Sequence, residues 1–347
     1  MAKGTARMRP NRFAILGTGF WSAFQLAAWR ELRDAECVAL CNRTRRKAED
    51  LGNRFGITKI FTDPVELFED GPLDFVDIIT GPEYHRPLVE LAAQFRVPVI
   101  CQKPLADNLA DATAMVAACR GAGIPLLVHE NWRWQTPLRA LQSLLAVGTI
   151  GQVFRARIDF VCCFPVFENQ PALRELKQFI LSDLGSHLLD IPRFLFGEAD
   201  RLYCQTHRVN PSIQGEDVAT VMLAMKAGVT VTVNLSYASR TETERFPETY
   251  AFIEGSEGSL SLGPDYWIRV TNAQGTTAQR HAPPEYAWAD PRYAVVHASI
   301  RDCNAHLLGA LRGEGPAETT GEDNLRTLEL VFAAYESART GTVVQLK

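Results

Sequence analysis

The chain has 347 residues, of which 46% are hydrophobic and 22% charged, enough for two sizeable cores. Its formal net charge of −4 supplies no general attraction to nucleic acid or anionic membrane, and no stretch approaches the ~20 apolar residues of a membrane span. Eight cysteines without a C-x-x-C pair, several in apolar surroundings (Cys37, Cys41, Cys101, Cys119), imply reduced thiols and a cytoplasmic protein.

Met1 to Pro10 is basic and polar and lacks the apolar segment of a signal peptide, so a loose tail is expected. Phe13-Ala-Ile-Leu-Gly17-Thr-Gly19-Phe-Trp-Ser22 then reads as an apolar strand, a glycine turn and a helix from Ala23 to Arg30. Such a turn suits a dinucleotide pyrophosphate: Gly17 permits the bend, Gly19 admits the phosphates, and the helix start offers N–H groups. Ser22 stands where a third glycine is usual, which makes Gly17, Thr18, Gly19, Phe20 and Trp21 candidate cofactor-binding residues. Further strands are expected at Cys37–Cys41, Phe75–Ile79, Val97–Cys101 and Pro125–Val128, with helices between them. Asp63-Pro64 opens one of these helices as an N-cap followed by proline. This alternation describes a doubly wound parallel sheet, an α/β dinucleotide-binding domain over residues 11–131.

Ligands of such sheets bind beyond the carboxyl ends of the strands. That rule selects Asn42, Arg43, Thr80, His85, Gln102, Lys103 and Asn131 as further cofactor candidates. Asn42 lies roughly where a ribose-binding acid is expected, about 20 residues beyond the glycines. An amide there can bond a 2′-hydroxyl without repelling a 2′-phosphate, and Arg43 can pair with one, so NAD and NADP are both open. Pro104 ends the strand at Lys103. Alone, that lysine reads as solvated; beside a cofactor it would hold a substrate hydroxyl.

The rhythm changes after a helix from Thr136 to Val147. Val153 to Phe160 alternates, with Phe154, Ala156, Ile158 and Phe160 on one face and Arg155, Arg157 and Asp159 on the other. With later strands up to Thr271 it predicts an open, mostly antiparallel sheet in an α+β domain over 132–347. Tyr237, Phe252 and Trp267 are expected among its polar positions, which suggests packing against another subunit. A helix from Ser182 to Phe196 puts Asp183 and His187 four apart on one face. By themselves they are an ordinary helix pair, with a general acid or base as the alternative; Asp190 is expected to serve structure. No ligand cluster suggests a metal.

Gln102-Lys103-Pro104, Asp183-Leu-Gly-Ser-His187 and the closing stretch from Gly321 to Gly341 together resemble the Gfo/Idh/MocA oxidoreductases. That family carries E-K-P at the end of its fifth strand and D-x-x-x-H in its second domain; Gln102 departs from the first motif. The resemblance implies a Rossmann domain with a substrate and oligomerisation domain, NAD as cofactor (NADP remaining open), and a sugar or polyol dehydrogenase. Lys103, His187 and Asp183 become its catalytic residues. Trp132, Arg133, Arg155, Arg157 and Asn169 join them as substrate-reading candidates. Cys41-Asn-Arg-Thr44, His129 to Trp134 and Phe164 to Gln170 are most similar to one bacterial branch of the family, which implies D-apiose as the sugar and a lactone as product; a homodimer or homotetramer is expected of the chain. The alternatives are a dinucleotide-binding regulator without turnover and an NADP-dependent carbonyl reductase.

Overall fold

In the structure, a computed structural model describing residues 9–346, the apolar run before the glycine turn is β1 (Asn11–Leu16). The chain continues through α1 (Phe20–Arg30), β2 (Ala35–Cys41), α2 (Arg45–Phe55), β3 (Ile60–Phe61), α3 (Pro64–Glu69) and β4 (Phe75–Ile78). It goes on to α4 (His85–Gln94), β5 (Val99–Gln102), α5 (Leu109–Ala122) and β6 (Leu126–His129). The strands pair in parallel in the order β3-β2-β1-β4-β5-β6. Strand order therefore reverses at β1 and β4, which puts the glycine turn at the switch point. Phe13 of β1 stacks on Phe75 of β4 at 4.7 Å, and Trp29 tilts onto both rings. Local chemistry sets the helix ends: Asp63 accepts the Val65 N–H at 2.8 Å, Asn108 accepts that of Asp111 at 2.9 Å, and Gly56 and Gly123 close α2 and α5 at positive φ.

The second part contains α6 (Thr136–Ala146), β7 (Val153–Val161), α7 (Val166–Asn169), α8 (Ile180–Asp183), α9 (Gly185–Leu188), α10 (Asp190–Phe196), β8 (Ala199–His207), β9 (Val218–Met225) and β10 (Thr230–Ser236). After these come β11 (Tyr250–Gly255), β12 (Gly258–Leu262), β13 (Trp267–Asn272), β14 (Gly275–Arg280), α11 (Ala294–Leu311), α12 (Gly321–Thr340) and β15 (Val344–Gln345). Nine strands order as β14-β13-β12-β11-β7-β10-β9-β8-β15, with β7 and β10 parallel and the other pairs antiparallel. One face of the sheet packs on a core that includes Ile158, Phe160, Leu188, Ile191, Val233 and Val331. β14 was not expected: Gly-Thr-Thr-Ala-Gln-Arg is exposed throughout, so it carries no burial period to read.

Three expectations are corrected. The chain divides into two units, one formed by the residues up to Glu130 with Tyr286–Asp290 and Ile300–Leu325, the other by the rest. Tyr286–Asp290 and Ile300–Leu325 thus leave the proposed 132–347 domain, and in the second of these Thr319 continues the first sheet's edge: its carbonyl takes the Val128 N–H at 2.7 Å and its hydroxyl bonds the Val128 carbonyl at 2.8 Å. Tyr237 is buried against Phe160 and Phe179, on the same parity as Val233 and Leu235. The helix from Ser182 to Phe196 is three short ones. Ser186 Oγ bonds the Asp183 carbonyl at 2.9 Å, so the His187 N–H turns to Leu184 at 3.0 Å, and Pro192 has no N–H to continue the ladder past Leu189.

Candidate active site

In the first unit, Gly17 adopts φ +99 and donates its N–H to the Cys41 carbonyl at 2.8 Å; a Cβ there would collide with the Ile79 carbonyl. Gly19 differs. It caps α1 with no side chain covering the helix start, and a Cβ there would meet nothing within 4 Å. Open space therefore lies in front of an 11-residue helix whose first N–H groups no side chain caps. A cleft of about 380 Å³ adjoins it, lined by Thr18, Gly19, Phe20 and the α2 residues Lys47 and Arg54. Among the described residues, the buried hydroxyls of Thr18 and Thr80 and the indole nitrogen of Trp21 find no protein partner. Asn42 braces the turn, its oxygen taking the Thr18 N–H at 3.2 Å and its nitrogen reaching the Thr44 carbonyl at 2.9 Å. Arg43 lies over the Tyr84 ring at 5.7 Å and bonds its hydroxyl at 3.1 Å. His85 is fully buried between the carbonyls of Leu105 (3.1 Å) and Thr80 (3.2 Å), and burial pushes its pKa down. It ties two loops together and does not line the opening.

Lys103 leaves β5 at the end of a buried polar chain. Its N–H goes to Gln102 Oε1 at 3.0 Å; Gln102 Nε2 donates to Gln25 Oε1 at 2.5 Å and to His129 Nδ1 at 3.2 Å. Gln25 Nε2 donates in turn to both oxygens of Asp77, at 2.9 and 2.8 Å, and the Trp29 indole adds a third bond at 2.7 Å. Burial drives the Asp77 carboxyl up to about 7 despite these donors, and drives His129 down to about 4. Asp77 and Gln25 escaped the sequence reading. The available signal was an acid inside the apolar run Phe75–Ile79.

In the second unit, Asp183 closes α8 and His187 sits in α9. The Trp132 ring stacks on the His187 ring at 4.5 Å and 8°, so this substrate-reading candidate stands beside the imidazole and sets its plane. Arg133, expected to read a substrate hydroxyl, is engaged elsewhere. It is buried in a two-bond pair with Asp190, which also takes the Thr327 hydroxyl at 2.7 Å and faces Arg193 at 3.5 Å. Although burial opposes its charge, Arg133 and Arg193 hold Asp190 below the usual carboxylate range. Asn131 is buried and donates to Ser299 at 2.7 Å. Arg155 and Arg157 lie on the exposed sheet face, paired with Glu254 at 2.8 Å and Asp159 at 2.9 Å. The side chain of Asn169 lies outside the described residues.

Residues 11–130 match the family described as oxidoreductases with an NAD-binding Rossmann fold, and residues 138–261 match the GFO/IDH/MocA C-terminal domain. The chain belongs to the Gfo/Idh/MocA family. D-apiose dehydrogenase of Paraburkholderia graminis is 47% identical over 343 residues, 99% of this chain and 92% of that protein. The D-apiose dehydrogenase of Rhizobium rhizogenes is 44% identical, covering 96% of each chain. An Agrobacterium radiobacter oxidoreductase, solved with NAD+, L-tartaric acid and magnesium, superposes with a TM-score of 0.95 at 44% identity over 96% of this chain and 98% of that one. As a Gfo/Idh/MocA oxidoreductase the chain binds NAD, and the first unit fits that group: open space at Gly19, an uncapped helix start, and unpartnered hydroxyls at Thr18 and Thr80.

The two glycines should separate in a substitution test. Gly17→Ala forces a strained φ and a backbone collision, costing at least ~1–3 kcal/mol of stability in urea unfolding. Gly19→Ala should unfold like the parent while losing NADH fluorescence enhancement. Equal behaviour of the pair would contradict the geometry.

Asp77 gives a pH signature. Its folded carboxyl stays protonated above the ordinary 3.8 up to about 7, so its contribution is full at low pH and is lost as pH rises through that window. Relative to the parent, Asp77→Asn should gain up to about 4 kcal/mol of unfolding free energy between roughly pH 4 and pH 8, at ~1.4 kcal/mol per pKa unit. A difference that is flat with pH refutes the assignment.

Proposed function

We propose that the chain oxidises an aldose at its lactol carbon to the lactone, with NAD as the oxidant and D-apiose as the sugar. The observation that supports this most is Lys103, held by Gln102 at the carboxyl end of β5 in the sheet that carries the glycine turn. Identities of 47% and 44% to two D-apiose dehydrogenases over nearly the whole chain support the choice of sugar. When bound, NAD supplies the hydride acceptor. Lys103 donates to the reacting hydroxyl and stabilises the negative charge that grows on its oxygen as the C–H bond breaks. His187 takes the hydroxyl proton, its plane held by Trp132, and Asp183 orients the sugar or the imidazole. Arg133, Arg155 and Arg157 already serve carboxylates, so other groups read the remaining hydroxyls. Asn42, in place of an acid, leaves NADP usable beside NAD.

The contact between copies is assigned to the outer face of the nine-stranded sheet. Met222, Phe252 and Trp267 are exposed there. They stand among polar groups that satisfy one another, such as Arg155 with Glu254 and Asn234 with Asp159. A homodimer or homotetramer would cover these side chains. Among the described residues no helix is long and apolar enough to cross a membrane. None of the eight cysteines forms a disulfide, which supports a cytoplasmic setting.

NADH formation from D-apiose, followed by its absorbance, tests the reaction, and its absence would overturn the substrate assignment. Lys103→Met should lower kcat by about 10²–10⁴-fold with NADH affinity unchanged, and His187→Ala should do likewise. The double variant should fall little further than either single one, as expected of groups that act as a unit. An active Lys103→Met enzyme would remove the role given to the ammonium.

The assembly is tested separately. Phe252→Glu with Trp267→Glu should reduce the light-scattering mass to that of one chain without changing the thermal unfolding onset of the monomer. A variant that keeps the parent's multimeric mass rules this face out.

A further inference from the structure

The segment carrying Asp183 and His187 begins with four N–H groups that α8 cannot satisfy from within. Phe179 donates to both carboxylate oxygens of Glu216 at 3.2 Å, Leu181 donates to Oε1 at 3.2 Å, and Ile180 donates to the Glu216 backbone carbonyl at 3.2 Å. The fourth, Ser182, donates to the Tyr335 hydroxyl at 3.1 Å. Tyr335 in turn gives its proton to Glu216 Oε1 at 2.8 Å. The first bond within the segment is Asp183 N–H to the Phe179 carbonyl at 2.9 Å. One residue and one hydroxyl from distant parts of the chain therefore answer every orphan donor of this segment.

The turn that brings Glu216 is built for close approach. A Cβ on Gly215 would stand 2.6 Å from the Leu176 carbonyl oxygen and 3.1 Å from the Phe179 nitrogen. Only glycine lets the turn lie this near. On the other side Asp217 is buried and takes the N–H groups of Val209 at 2.7 Å and Asn210 at 3.0 Å. Gly215-Glu216-Asp217 thus fixes the carboxylate from both ends, and Tyr335 fixes it from α12. A carboxylate at a helix start is also favoured by the backbone dipoles.

We propose that Glu216, admitted by Gly215 and locked by Tyr335, is the positioning residue of the proton-handling segment, setting where Asp183 and His187 stand. This rests on the reading of His187 as the proton acceptor. Rotation of the segment displaces the imidazole along an arc, and misplacement by about 1 Å is enough to cost on the order of 10²-fold in rate. Glu216 acts through the segment and touches neither reactant.

The test uses the full chain with four substitutions. Glu216→Ala and Tyr335→Phe should lower kcat by roughly 10-fold or more, move the acidic limb of the kcat pH profile, and leave NADH affinity unchanged. Hydrogen exchange at residues 179–188 should quicken in both. Glu216→Gln keeps one acceptor oxygen and should recover most of the rate. Gly215→Ala should resemble Glu216→Ala if it folds; Tyr335→Phe, which removes one atom, keeps the test decisive if it does not. Parent-like kcat, pH profile and exchange in Glu216→Ala, with only a lower melting temperature, would overturn the proposal. His187→Ala serves as the control: inactive His187→Ala beside active Glu216→Ala sinks the clamp alone, whereas fully active His187→Ala sinks the function of the segment and the clamp with it.

Discussion

Asp77 takes a carboxyl group out of water in the middle of β4, where an ion without partners would be prohibitively costly. Three hydrogen bonds meet it, two from the Gln25 amide and one from the Trp29 indole. Both donors come from α1, the helix that opens at the glycine turn. The same acid therefore binds α1 to the sheet and fixes which way the Gln25 amide points. Trp29 serves twice, since its ring also packs on Phe13 and Phe75. The geometry of the helix start is inherited from this buried contact: α1 cannot slide along β4 without leaving the carboxylate unanswered.

The second unit solves a comparable problem with charge pairs and caps. Asp190 at the start of α10 is enclosed by Arg133, Arg193 and Thr327. Arg193 is shared onward with Glu198 at 2.6 Å. Removing one member of such a buried set strands another, so the group acts as a block. Asp183 and His187 lie in the stretch bounded by that block and by the Glu216 cap at the start of α8, with the Trp132 ring against the imidazole. Three short helices succeed where a continuous one would fail, because Ser186 and Pro192 interrupt the ladder while outside groups hold the ends.

How far this could be read from the chain follows from the range of each interaction. The strand–turn–helix at Gly17, the N-cap at Asp63 and the strand end at Lys103 depend on neighbours within a few residues, so the local pattern sufficed. Parity was available as well, and it should have sent Tyr237 inward with Val233 and Leu235. Arg133 was misread because a buried arginine and a ligand-reading one look alike until the partner is known, and its partner lies 57 positions away. Tyr335 and Ser182 are separated by 153 positions, Trp29 and Asp77 by 48. Such pairs have no local period. An acid within an apolar strand and a glycine–acid–acid turn between strands were the traces they left.

The directional chain from Asp77 also accounts for glutamine at position 102. Gln25 Nε2 donates to both Asp77 oxygens, so the Gln25 amide turns its nitrogen towards Asp77 and its oxygen towards residue 102. That oxygen needs a donor, which Gln102 Nε2 provides while also serving His129 Nδ1. The remaining Gln102 oxygen is then left for the Lys103 N–H. A glutamate at 102, when ionised, would set oxygen against oxygen at Gln25 and lone pair against lone pair at His129. Relief would require Gln25 to reverse, and its oxygen would then face Asp77, which could answer only as the protonated acid. At most one negative charge fits this network, and burial already keeps Asp77 protonated up to about 7. Here the acid at 77 and the amide at 102 are two halves of one choice, and neutral His129, its pKa held near 4 by burial, completes it by keeping Nδ1 as an acceptor.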